Sequence, residues 1–343
     1  MNKKILVVTD SYYKELGGSY EAVGSTVYNL RKQGLSVNFI YLFNGESRKK
    51  IKIRKVLKKF EIIHFYGIWT FQHIRWMLNS LILKKKIIIT PMGALEPWSL
   101  KQKSFKKKVA LCLYQKYFLK KASVIHCTSY NEEKNIKKID QNINTVIIPH
   151  GQDGTKYIKT KVENLNNKKM LFFSRIHEKK GLETLINLWG ELKPKNWILD
   201  IIGPEGDSTK KKLNQIILER NLEKEINFKE PVYKIFEKKK LFESYDISVL
   251  LSKNENFAFS ILESLRHSLP VITTNNTPWD QIKTYNAGWF IDVEKDDVKE
   301  IFRKIFQISN EELLEKSKNA YKLSMEYTWD KIYPKFEKVY LEL

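Results

Sequence analysis

The sequence predicts an α/β protein made of two doubly wound, Rossmann-like domains that face a cleft. Three observations predict it. Short apolar, β-branched runs alternate with helical patterns along the whole chain, which is the pattern of parallel βαβ units. The 343 residues exceed what one such domain needs. A polar run from Thr155 to Lys169 interrupts the alternation midway and reads as a connection between domains. The expected division is 1–165, 166–328 and a terminal helical region over 329–343.

Composition narrows the class. Hydrophobic residues make up 42% of the chain, enough to fill substantial cores. The mean hydropathy of −0.43 and the absence of any run of eighteen apolar residues predict no transmembrane helix. The opening MNKKILVVTDS has too short an apolar run for a secretory signal and reads as a first buried strand. Two cysteines, Cys112 and Cys127, point to a reducing compartment and away from a metal cluster. Charge is uneven: residues 1–165 carry 31 Lys and Arg against 11 Asp and Glu, while residues 166–343 carry 30 against 28. Such asymmetry argues for an anionic partner on the first half: nucleic acid, an acidic lipid surface or a phosphorylated substrate.

In the first half, Ile5–Val8 reads as a strand, followed by a loop holding Gly17 and Gly18. A helix over 21–33 ends at Gly34, and Val37–Leu42 reads as the next strand. The glycine pair is not a GxGxxG fingerprint. Eight of the twelve residues from 48 to 59 are Lys or Arg, and a helix there presents a basic face. Strands are expected at 62–65, 87–90 and 124–127, with helices over 70–83 and 131–139. His126 reads as a packed strand residue. Phe105, Val109, Leu113 and Tyr117 recur at four-residue steps, and eight lysines between 101 and 121 surround them. That amphipathic helix either docks on its own domain or dips into an anionic bilayer surface.

In the second half, a strand over 170–173 leads to Ser174-Arg175-Ile176-His177-Glu178-Lys179-Lys180-Gly181 and a helix over 182–192. Two cations, Arg175 and Lys180, beside a helix start are costly unless an anion offsets them, and a nucleotide diphosphate is the natural anion. Further strands read over 197–202, 226–228, 247–251 and 271–273. The segment ISVLLSKNENFAFSILESLRHSLPVIT places Glu255 in a loop at the carboxyl end of a strand and Glu263 in the next helix. Open α/β sheets bind ligands in that crevice. With a helix starting near Phe257, Glu263 lies about two turns in. The two acids then bracket an anion-binding helix start. From spacing alone, a solvated loop glutamate and an exposed helix glutamate account for the pair equally well.

The Glu255-x7-Glu263 pair resembles the paired-glutamate signature of retaining glycosyltransferase family 4, of the GT-B fold. Arg175-x4-Lys180-Gly181 matches that family's diphosphate clamp, and GALEPWSLK and Thr277-Pro278-Trp279 resemble loops of its bacterial surface-polysaccharide subgroup. His150-Gly151-Gln152-Asp153 is similar to its interdomain Pro-Asn-Gly-Val-Asp. Met92 or Gly93 stands where many relatives carry a histidine that contacts the donor phosphate. The resemblance implies catalytic roles for Glu255, Arg175 and Lys180. It implies donor binding by Gly17, Gly18, Arg175, Lys180, Val232, Glu255, Asn256, Phe257, Ala258 and Glu263, and acceptor contacts from Glu96 and Trp98. It also implies that the last helix, 329–343, crosses back to the first domain.

The implied activity is retaining transfer of a hexose-type sugar from a UDP- or GDP-linked donor. The implied acceptor is a saccharide on a polyprenyl diphosphate lipid, in O-antigen or capsule-type (lipopolysaccharide) synthesis. The place expected is the inner face of a bacterial cytoplasmic membrane, on an anionic surface. No Asp-x-Asp occurs, so no cofactor and no essential divalent metal are expected. A basic nucleic-acid-binding protein is the alternative class, though no zinc, homeodomain or single-strand motif supports it, and no nucleic-acid partner is expected. A GT-B phosphorylase or epimerase shares the fold but not the substrate.

Overall fold

A computed structural model describes residues 3–10, 18–42, 52–102, 104–154, 157–160, 167–206 and 208–343. The chain divides into two compact units. Unit 1 comprises Met1–Asp153 with Tyr327–Leu343, and unit 2 comprises Gly154–Glu326.

Unit 1 alternates strands and helices: β1 (Ile5–Thr9), α1 (Gly18–Lys32), β2 (Val37–Tyr41), α2 (Ile53–Leu57), β3 (Ile62–Tyr66), α3 (Phe71–Ile82), β4 (Lys86–Thr90) and α4 (Pro97–Lys101). One longer helical run follows, α5 (Ser104–Ala110), a π-turn over Leu111–Gln115, and α6 (Lys116–Lys121). Then come β5 (Val124–Cys127), α7 (Tyr130–Ile139) and β6 (Thr145–Ile147). The sheet is parallel, in the order β2-β1-β3-β4-β5-β6. β1 and β3 are buried along their whole length, as strands covered by helices on both faces must be. One face packs Leu57, Trp76, Met77, Phe118 and Ile136, and the other Val23, Val27 and Leu30. The terminal helix packs into that second layer through Trp329, Ile332, Phe336 and Tyr340.

Buried between sheet and terminal helix is a chain of hydrogen bonds with one possible polarity. His126 Nε2 lies 2.7 Å from the carbonyl of Ile148, so it carries the hydrogen and Nδ1 accepts. The Thr90 hydroxyl therefore donates to His126 Nδ1 at 2.8 Å, and accepts from His64 Nε2 at 2.7 Å. His64 Nδ1 then accepts from the Tyr340 hydroxyl at 2.8 Å. The arrangement holds with both imidazoles neutral, the form their burial favours. Burial, with His126 nearby, lowers the pKa of His64 well below its ordinary value; burial lowers His126 to about 4 and His150 to about 3. These groups bind protons in the unfolded chain before they do in the folded one. Their stabilisation is complete above about pH 6.5 and is lost as pH falls toward 4 and below, at up to about 1.4 kcal/mol per pH unit per group. The melting temperature should drop steeply between pH 6.5 and 4. His126→Asn should flatten that slope; an unchanged slope contradicts the assignment.

Unit 2 repeats the alternation: β7 (Lys168–Phe173), α8 (Leu182–Leu192), β8 (Trp197–Ile202), α9 (Thr209–Glu219), β9 (Ile226–Lys229), α10 (Ile235–Glu243) and β10 (Ile247–Leu250). It continues with α11 (Phe259–Arg266), β11 (Val271–Thr274), α12 (Gln281–Thr284), β12 (Gly288–Ile291), α13 (Val298–Phe306) and α14 (Asn310–Ser324). The terminal helix of unit 1 is α15 (Trp329–Glu342). The unit 2 sheet runs β12-β11-β10-β7-β8-β9, all parallel. Its central strand β7 sends the chain first toward β8 and β9, then back to β10. The strand order therefore reverses between β7 and β10, and such a switch point is where open α/β sheets hold ligands.

Among the described residues, no helix is long and apolar enough to cross a membrane. The stripe predicted at 105–117 forms, and the described residues leave it uncovered: Phe105 is 79% exposed and Leu113 75%. The π-turn adds the residue per turn that keeps four-residue steps near one face.

Candidate functional site: the switch point of unit 2

The loop after β7 carries Arg175 and Lys180, and the loop after β10 carries Glu255. Because β7 and β10 are neighbours, residues 75 apart in sequence meet: Lys180 Nζ lies 2.6 Å from Glu255 Oε1. Gly181 permits the approach. Its φ is +75°, and a Cβ there would sit 2.0 Å from the carbonyl oxygen of Leu251 at the end of β10. The Lys253 amide also donates to the Lys179 carbonyl at 2.8 Å, tying the two loops together. His177 Nδ1 accepts from the Lys179 amide and turns the chain into the short 3-10 segment Glu178–Lys180.

Glu255 is buried and ionised. Its Oε1 also accepts the Ser252 hydroxyl at 2.7 Å, and its own amide donates to the Asn276 carbonyl in the loop after β11. Burial opposes ionisation, but the charges of Lys180 and Lys179 and the bonds from Lys180 and Ser252 outweigh it and lower the pKa. Arg175 is exposed, and its guanidinium makes no ion pair or hydrogen bond among the described residues. Its stem crosses Gly206, where a Cβ would lie 2.7 Å from Arg175 Cδ. Gly203 similarly lets the Ser174 carbonyl pass where a Cβ would be 1.9 Å away. The turn after β8 is thus the platform under Arg175.

Beyond Glu255 the chain runs through Asn256, Phe257 and Ala258 into α11. The helix starts at Phe259, not at the expected Phe257, because Ala258 takes a left-handed φ of 65°. Glu263 consequently lies in the second turn of α11. Trp279, fully buried, donates its indole N–H to the Phe257 carbonyl and packs on the Phe257 ring. That contact fixes the loop and explains the tryptophan of Thr277-Pro278-Trp279. A left-handed alanine costs about 1–2 kcal/mol, and such strain is kept where the surroundings over-determine it. Ala258→Gly should raise stability by about 0.5–1 kcal/mol in chemical denaturation, the gain being trimmed by glycine's freer unfolded state.

Glu263 accepts a 2.7 Å bond from Lys238 of α10, whose ammonium also sits 5.6 Å from the centre of the Phe173 ring. Val232 is half-buried against a small cluster with Leu171, Ile202 and Phe242. Arg175, Lys180, Glu255, Asn256, Phe257 and Ala258 therefore come from loops at the carboxyl edge of the sheet, and Glu263 from the helix that follows. Gly17 lies outside the described residues, and Gly18 opens α1 of unit 1. Glu96 of unit 1 is buried, with Oε2 accepting from Asn135 Nδ2 at 2.8 Å, while Trp98 is half-buried two residues on. Sequence reasoning missed Ser252, Lys238, Gly203 and Gly206. The Gly203-Pro204-Glu205-Gly206 run is the signal in the sequence for the two glycines, since it marks a tight turn at a strand end.

A basic pair and a buried acid thus meet at the switch point of unit 2, with a second acid in the following helix. Residues 153–323 match the family Glycosyl transferases group 1, so the chain contains a group 1 glycosyltransferase domain. An uncharacterized glycosyltransferase of Haemophilus influenzae is 25% identical over 191 residues. That match spans 54% of this chain and 52% of the relative, about half the length of each. Sucrose-phosphate synthase from Thermosynechococcus elongatus superposes with a TM-score of 0.78 at 15% identity, covering 99% of both chains. Anabaena HepE in complex with UDP-glucose gives a TM-score of 0.74 at 16% identity, covering 99% of this chain and 100% of that one. At these identities the likeness shows the fold, which is GT-B: two Rossmann-like domains, each with a six-stranded parallel sheet.

Proposed function

We propose that the chain is a retaining glycosyltransferase that moves a hexose-type sugar from a nucleotide diphosphate donor to a saccharide acceptor. The observation that carries this reading is the Lys180–Glu255 pair at the unit 2 switch point, with Arg175 on the same loop as Lys180. Arg175 and Lys180 neutralise the departing diphosphate, which is electrostatic catalysis aimed where charge develops. Lys180 Nζ lies 2.6 Å from Glu255 Oε1, which links the group that neutralises the diphosphate to the carboxylate that faces the sugar. Glu255 then orients the sugar hydroxyls and stabilises an oxocarbenium-like state, beside the backbone of Asn256, Phe257 and Ala258. Glu263 takes the ribose hydroxyls, and the segment at Val232 holds the base. Because two side-chain cations do the neutralising, excess chelator should leave transfer intact.

Unit 1 takes the acceptor, through the turn bearing Glu96 and Trp98. The uncovered Phe105–Tyr117 stripe among lysines favours an acceptor at an anionic bilayer, consistent with a polyprenyl-linked saccharide in surface-polysaccharide synthesis. The test is a thermal-shift screen of the full chain with UDP-, GDP- and ADP-sugars, followed by NMR of the product's anomeric centre. One donor series should raise the melting temperature, and the product should keep the donor's configuration. No shift with any donor, or an inverted product, contradicts the reading. Separately, sedimentation with phosphatidylglycerol vesicles at low salt should retain the wild type and release a Phe105→Ser/Leu113→Ser variant. Indifference of the wild type to those vesicles removes the membrane part alone.

A further inference from the structure

We propose that Glu132 is a positioning residue for the acceptor step, its carboxylate holding the turn that carries Glu96 and Trp98. The proposal deepens the function above and depends on its reading of that turn as the acceptor's.

The turn leaves β4 at Pro91 and enters α4 at Pro97. Met92 and Gly93 both take left-handed backbone, with φ of 56° and 76°. For a methionine that conformation costs about 1–2 kcal/mol, so something else must hold it. The hold comes from α7, which follows the neighbouring strand β5. Gly93 donates its amide to Glu132 Oε1 at 2.8 Å. The other oxygen, Oε2, accepts the Thr128 amide at 2.8 Å and the Thr128 hydroxyl at 3.1 Å. One helical turn on, Asn135 holds Glu96. The Ser129 hydroxyl caps α7 through the Glu132 amide, which fixes where the carboxylate stands. One helix face thus grips the turn at two points, and Glu132 also locks it to the end of β5.

The grip depends on charge. Glu132 is 1% exposed. Burial, together with the nearby Glu96 charge, pushes its pKa up to about 7 against the bonds from Thr128 and Gly93. The ionisable groups that act on it are Glu96 from the turn and Cys127 from β5, and Glu133 and Lys137 of its own helix act on Cys127. Burial pushes the Cys127 thiol far up, so it stays neutral. A proton on Oε1 turns the acceptor of Gly93 into a donor; a proton on Oε2 does the same to Thr128. The first breaks the carboxylate's tie to the turn; the second loosens its anchor at the end of β5.

The test measures acceptor and donor KM of the full chain from pH 6 to 8.5, for the wild type and Glu132→Gln, alongside the Gly93 amide resonance. In the wild type, acceptor KM should rise several-fold below about pH 7, while donor KM and the nucleotide-induced melting shift stay level. The Gly93 amide should titrate with the same midpoint. Glu132→Gln should keep acceptor KM high and flat, with a Gly93 amide that does not titrate. An unchanged midpoint in the variant, or donor and acceptor KM moving together, overturns the proposal. A wild type that transfers no sugar defeats the functional reading instead, and the Gly93 resonance still decides whether Glu132 holds the turn.

Discussion

Lys180→Ala is expected to slow sugar transfer about 10²–10³-fold, the scale of losing one preorganised group opposite developing charge. It should also destabilise the ligand-free protein, because Glu255 keeps its burial but loses its closest cation. The Lys180 and Glu255 side chains are 14% and 9% exposed, so solvent screens the pair little. Removing one partner of such a pair costs on the order of 3 kcal/mol. The pH dependence fixes the sign. The folded-state pKa of Glu255 is depressed, so its stabilisation is present above the unfolded pKa and disappears as pH falls through the folded one. In Lys180→Ala that contribution shrinks or reverses. Adding Glu255→Gln should restore much of the stability without restoring transfer, since the buried charge is gone but so is the clamp. Urea denaturation and initial rates on the wild type and the two variants separate the two roles. Full activity in Lys180→Ala removes the clamp from the mechanism.

Gly181→Ala should be more damaging than its single methyl group suggests. Left-handed backbone costs an alanine about 1–2 kcal/mol, and overpacking typically adds about 1–3 kcal/mol. Here the obstacle is backbone: the new Cβ would fall 2.0 Å from the Leu251 carbonyl oxygen, so a flexible side chain cannot yield. The loops after β7 and β10 must separate, which pulls Lys180 from Glu255 and breaks the Lys253–Lys179 bond. Nucleotide affinity should fall at least tenfold in calorimetry, with a cooperative but less stable unit 2. Wild-type affinity in this variant contradicts the assignment of the two loops to one site.

Much of the fold was legible because parallel strands buried on both faces read as unbroken apolar runs. Ile5–Thr9, Ile62–Tyr66 and Val271–Thr274 are of this kind. The carboxyl-edge loops were legible for the same reason: where the apolar run stops, Arg175 or Glu255 begins the turn. What could not be read is what two loops do to each other. Lys238 reaches Glu263 only because α10 and α11 bring residues 25 apart together. Ser252 stands just past the apolar run of 247–251, and nothing in the helical pattern of 131–139 marks Glu132 as facing the turn after β4, whose Gly93 amide it accepts. The start of α11 moved to Phe259 because propensity does not reveal a left-handed alanine. The four-residue apolar steps from Phe105 to Tyr117 marked an amphipathic face correctly, yet periodicity does not say whether anything covers it.

On the proposed reading, Arg175, Lys180, Glu255 and Glu263 serve one nucleotide-sugar. Calorimetric titration of the full chain with UDP, GDP and ADP tests it most directly, in the wild type, Arg175→Ala and Glu263→Gln. One of the three should bind the wild type and bind each variant at least tenfold more weakly, through lost diphosphate contact in the first and lost ribose contact in the second. Equal affinity across wild type and variants, or no binding of any nucleotide, would contradict it.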